Sequence, residues 1–108
     1  METRFIPEMQ RFSSEKMLKV GLFDTEHFFC DIYCFEPGQA QKLHSHDGAD
    51  KVYFVLRGEG VFQVGDERET HRSGSAILAP AGQQHGVENK SDQQLVLLVF
   101  MSPNPNRR

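Results

Sequence analysis

Apolar and polar residues alternate along most of this chain in short runs, and each run stops at a turn-forming residue. A period of two is the mark of a strand with one face turned to a core. Residues 17–23 give the first clear run, with Met17, Lys19, Gly21 and Phe23 on one face and Leu18, Val20 and Leu22 on the other. Residues 27–36 give the second, and here both faces carry apolar side chains. Such a strand needs cover on its outer side as well, from a second sheet or another subunit. Pro37-Gly38 turns the chain, and residues 39–46 form a third strand that ends at the turn signal Asp47-Gly48. Residues 51–57 are rich in β-branched and aromatic side chains. Residues 61–64 and 67–72 form a hairpin about Gly65-Asp66, and the second arm is charged along its length, as suits a solvated edge. Residues 76–79 make a short strand before a Pro80-Ala-Gly82 bend, and residues 86–89 follow it. Residues 94–101 are almost continuously apolar, as expected of a strand buried on both sides.

No helical period appears, so the pattern predicts an all-β barrel or jelly roll in one domain, residues 1–108. Residues 1–13 read as an irregular arm with a short strand around residues 4–6, interrupted by Pro7. Residues 102–108, rich in proline and asparagine, read as a flexible, disordered tail.

Composition narrows the partners. The formal net charge is −3 and no basic stripe is present, which argues against a nucleic-acid partner. The longest apolar run, residues 95–101, is too short to span a bilayer, and the first twelve residues lack the apolar run of a signal peptide. A soluble cytoplasmic protein is expected. Cys30 and Cys34 lie four apart in one strand, about 13 Å between Cα atoms, too far for a disulfide. They read as small core residues.

The chemistry concentrates in two stretches. Between Gly38 and Gly58, His44 and His46 are one residue apart and share a strand face, ~7 Å apart along the chain. Between Gly74 and Asn89, the Pro-Ala-Gly bend is followed by His85. Imidazole is the commonest metal ligand, and three of them form half of an octahedral shell. His27 and His71 have no partner in this pattern; His71 reads as a surface residue and His27 as structural or exposed.

These stretches resemble the two motifs of the cupin superfamily. The second motif is matched at Gly74, Pro80, Gly82, His85 and Asn89, the first at Gly38, His44, His46 and Gly58. The resemblance implies a small double-stranded β-helix, a jelly-roll barrel with one metal ion in its mouth, and a homodimer that exchanges N-terminal arms. It implies His44, His46 and His85 as ligands of one divalent transition metal: iron, manganese, nickel or zinc.

The first motif also calls for a glutamate ligand, and here the sequence departs. Counting back from Gly58 puts Lys51 at that position. Counting on from His46 puts Asp50 there, with a bulge before Gly58. Neighbours in a strand point to opposite sides, so only one faces the metal. Asp50 is therefore a candidate fourth ligand. Lys51 is a candidate catalytic residue that would pair with a substrate carboxylate or weaken metal binding by repulsion.

Three neutral histidines resemble the facial triad of non-haem iron oxygenases with its carboxylate replaced. The expected function is a metal-dependent, dioxygenase-like enzyme acting on a small chelating substrate, such as a dicarbonyl or hydroxy acid. The alternatives are an isomerase or lyase on a sugar or keto acid, and a module that binds a small molecule without turnover. A pocket lined by Tyr53, Phe54, Phe62 or Phe100 would favour an apolar ligand, and strand parity allows only some of them inside.

Overall fold

The computed structural model describes residues 1–107. A single turn of helix, α1 (Ile6–Met9), precedes nine strands: β1 (Leu18–Asp24), β2 (Phe29–Phe35), β3 (Ala40–His44), β4 (Asp50–Arg57), β5 (Glu59–Val64), β6 (Glu67–Arg72), β7 (Ala76–Ala79), β8 (His85–Glu88) and β9 (Leu95–Ser102). A 3-10 turn, Pro105–Arg107, follows. The strands form two antiparallel sheets, β1-β2-β9-β4-β7 and β3-β8-β5-β6. This is the jelly-roll barrel that the alternation predicts.

The core lies between the sheets. Strand β4 shows how the pattern builds it: Lys51, Tyr53 and Val55 are buried, while Asp50 and Phe54 on the opposite parity are exposed. Phe35, Val55, Leu95 and Leu97 have no exposed surface and close one end of the barrel. Asn89 seals that end. It is fully buried, donates to the carbonyl oxygens of Phe35 (3.4 Å) and Gln93 (2.8 Å), and accepts from the Ser91 hydroxyl (2.8 Å). Gly58 turns the chain there with φ +83°, and any side chain would collide with the carbonyl of Gln94.

Three expectations are corrected. The apolar outer face of β2 is covered by the N-terminal arm rather than by a second sheet: Ile6, Met9 and Phe12 pack over Ile32, Cys34 and Val96. Residues 4–6 are not a strand, because Pro7 sits in the first turn of α1 and favours helical backbone there. The segment from Ser102 to Arg107 is not loose. Asn104 is buried and its amide donates to Asp24 Oδ1 (2.6 Å), Thr25 O (2.7 Å) and Phe28 O (3.2 Å). Cys30 and Cys34 are free thiols on the outer face, as their spacing requires. Among the described residues no helix is long and apolar enough to cross a membrane.

Candidate metal centre

The open end of the barrel gathers three imidazoles. Strands β3 and β8 pair antiparallel with His44 opposite His85. Gly86 permits that pairing, since a Cβ there would lie 2.8 Å from the carbonyl of Gln41 and 3.1 Å from the amide nitrogen of Leu43. His46 belongs to the loop beyond β3, and that loop is tied to the Pro80–Gly82 bend: the Gly82 amide donates to the His46 carbonyl at 2.9 Å. Ring centroids lie 4.3 Å apart for His44 and His85, 5.0 Å for His44 and His46, and 5.9 Å for His46 and His85. One nitrogen from each ring falls within 4.8 Å of the others, a grouping that could hold a metal ion.

The tautomers suit that role. His44 Nδ1 lies 2.9 Å from the Lys42 carbonyl and His85 Nδ1 lies 3.1 Å from the Gln83 carbonyl. A carbonyl only accepts, so both Nδ1 atoms carry the proton and both Nε2 atoms keep a lone pair. His85 is 2% exposed, and its Nε2 is buried with no hydrogen-bond partner. Burial pushes the pKa of His85 down to about 4, with smaller contributions from Lys51 and the neighbouring histidines. Burial also lowers His44, and Lys51 and His46 add to the effect. Both rings are thus held neutral, as ligation requires. The donor set fits a divalent transition metal.

Strand parity decides between Asp50 and Lys51. Lys51 turns inward and is 1% exposed. Its ammonium donates to Gln41 Oε1 at 3.3 Å and lies 5.1 and 5.0 Å from the ring centroids of Tyr33 and Tyr53. Burial, reinforced by repulsion from Lys19, lowers its pKa to about 7. Asp50 turns outward and accepts from the Ala81 amide at 2.9 Å. Its carboxylate is not brought into the histidine group and instead braces the bend that leads to His85.

The family model of the cupin domain matches residues 31–101. The chain belongs to the cupin family. It is 32% identical over 65 residues to an oxalate-binding protein of Thermotoga maritima, covering 60% of this chain and 54% of that relative. This cupin therefore spans about half the length of that relative. Its fold matches the crystal structure of TT1209 from Thermus thermophilus with a TM-score of 0.94 and 45% identity, covering 97% of this chain and all of the other. A double-stranded β-helix protein from Klebsiella pneumoniae, 20% identical, gives a TM-score of 0.90 over the whole chain and 94% of the other.

This cupin's site also contains residues that strand parity hides. Counting alternation places Gln41 with Leu43 and away from His44. A bulge between Gln41 and His44 shifts the register, so the Gln41 amide oxygen accepts from Lys51 and from the Tyr53 hydroxyl (2.9 Å). Lys19 comes in from β1, opposite Tyr33. Beside His44 and His46 lies a cavity of about 130 Å³ whose walls include Lys19, Asp31, Tyr33, Lys51 and Asn106. Of the aromatic candidates, Tyr53 and Phe62 are in the core, whereas Phe54 and Phe100 are exposed on the outer face. His27 is exposed beside Glu26, and His71 bonds Glu69 at 2.8 Å, both away from the centre.

Proposed function

We propose that this cupin holds one divalent transition metal on His44, His46 and His85 and binds a small chelating organic molecule beside it. The observation that carries the reading is the buried, unpartnered Nε2 of His85, grouped with two further imidazoles that can converge with it on one ion. A buried polar nitrogen without a partner costs about 1–3 kcal/mol, a cost that ligation removes. When bound, the metal supplies Lewis acidity, and with iron it supplies dioxygen chemistry as well. The chain's own part is separate. The carbonyls of Lys42 and Gln83 orient two of the ligands, Asp50 fixes the bend, and the apolar wall of Phe29 and Met101 limits water. Lys51 turns its side-chain nitrogen toward the cavity, where the family has a carboxylate. The dioxygenase-like form of the reading rests on the three-histidine set. The same reading takes exposed Phe54, Leu78 and Phe100 on the outer sheet as the contact of a homodimer.

A second reading, a binding module without turnover, draws support from the Thermotoga relative, described as oxalate-binding. Elemental analysis of tag-free protein beside His85→Ala tests the metal reading. About one iron, manganese, nickel or zinc per chain, lost in the variant, is expected. Wild-type protein that takes up none of these four metals would refute it. Oxygen consumption by the iron-loaded protein then separates the dioxygenase-like form from an isomerase, a lyase or a binding module.

A further inference from the structure

The cavity beside the histidines is lined by two lysines and two histidines against one carboxylate, Asp31. Three neutral imidazoles leave a bound divalent ion its full charge. Lys19 and Lys51 add two ammonium groups, 5.2 and 5.1 Å from the centroid of the same Tyr33 ring. Among the described residues no carboxylate lies within ion-pair distance of either ammonium. Asp31 is the acid in the cavity wall; its carboxyl feels both lysines but lies beyond ion-pair distance of either ammonium. Lys51 meets one amide oxygen and two aromatic faces, which leaves ammonium protons without a strong acceptor. An anion brought from outside supplies the strong acceptor that this buried group lacks.

The size of the cavity limits that anion. About 130 Å³ is well below the volume of a site for drug-sized ligands and equals the space of roughly four waters. The geometry points to a small organic acid as the ligand of this site, with one carboxylate held by Lys51 and Lys19 and a second oxygen group left to chelate at the histidine cluster. Asn106, whose side chain carries both a donor and an acceptor, lines the same cavity and suits the far end of such a ligand. This inference rests on the metal reading and adds the ligand class and the residues that select it. An isosteric neutral molecule would bind through the metal alone, so charge, not shape, sets the preference.

The test uses nickel-loaded, tag-free protein and three probes of similar size: oxalate, oxamate and neutral glycolamide. Calorimetric titration reads affinity, and elemental analysis is run on every sample before ligand is added. Oxalate and oxamate are expected to bind at least tenfold tighter than glycolamide, about the value of one hydrogen bond to a charged group. Lys51→Met and Lys19→Met should each lose about fivefold or more of oxalate affinity, keep their metal and bind glycolamide as before. Lys19 is exposed, so its variant folds even if the buried substitution at Lys51 does not. Two charge-removed variants that keep both metal and full oxalate affinity would overturn the anion subsite and leave the metal centre standing. A wild-type protein without metal would overturn both, and elemental analysis shows that before any ligand is added.

Discussion

Strand β9 has two ends, and they lie in different surroundings. At one end Leu95 joins Phe35, Val55 and Leu97, all without exposed surface, and the nearby Asn89 has its amide oxygen and nitrogen both engaged. At the other end Met101 pairs with Lys51 in β4 and borders a cavity holding two lysines and two histidines. The same sheets build both ends, and β4 and β8 likewise run from one to the other. At the closed end the packing is apolar and the buried Asn89 amide is satisfied. At the open end buried Lys51 has one hydrogen bond, to Gln41, and buried His85 keeps an unpartnered Nε2. Stability is concentrated at one end and unmet binding capacity at the other, within one hydrophobic unit. A protein organised this way should tolerate changes at its mouth and resist changes at its base.

The sharpest way to break that contrast is Leu95→Ala. Removing a fully buried leucine from a packed core costs about 3 kcal/mol. Urea unfolding should show that loss, while metal content per folded chain stays at the wild-type value. If metal binding fell with stability, the two ends would be coupled more tightly than their packing indicates.

The next effect comes from the open end and depends on pH. Lys51 has its pKa lowered to about 7 in the fold, against about 10.4 for lysine in an unfolded chain. Between these values the unfolded chain binds a proton that the folded chain has released. Stability of the metal-free protein should therefore rise with pH through this window, starting near 7. Cys30 and Cys34, whose pKa values are raised by burial, and the similarly raised Tyr33 and Tyr53 act in the opposite sense at higher pH. Unfolded thiols are half-ionised near pH 8.5 and begin to ionise about a unit lower, so the clean interval runs from about 7 to about 8, and the expected gain across it is roughly 1 kcal/mol. Lys51→Met should abolish the rise, as read from urea midpoints at the two limits of that interval. An unchanged slope in the variant would show that Lys51 is not the titrating group.

Much of this is legible in the chain itself. The strands lie close to where alternation and turn residues place them, because one face of each is buried and register is enforced. The three histidines meet because their strands are neighbours in the barrel. Other features are hidden for definable reasons. The bulge between Gln41 and His44 leaves no mark in the alternation, so strand parity puts the Gln41 amide, which fixes Lys51 and Tyr53, on the wrong face. Lys19 enters through cross-strand pairing with Tyr33, which a single strand's parity does not report. Helix α1 is four residues long, less than the two turns a helical period needs. Asn104 holds partners 76 to 80 residues away, beyond any local signal, so its segment reads as tail.

The smallest predicted effect sharpens the division of labour between neighbours Asp50 and Lys51. Asp50 is exposed and braces the Pro80–Gly82 bend through one hydrogen bond. Asp50→Ala should cost ~1 kcal/mol of stability and weaken metal binding only a few-fold. A loss as severe as that of His85→Ala, measured by competition with a chromogenic chelator, would instead make Asp50 a ligand.

One wall of the cavity belongs to a segment outside the barrel. Pro105 and Asn106 face the site, yet the stretch that carries them is clamped chiefly by the side chain of Asn104. Selection can therefore exchange this wall without disturbing a strand register or a core residue. Related chains with the same three histidines could diverge in what they accept by rewriting this short stretch, with the barrel inherited intact.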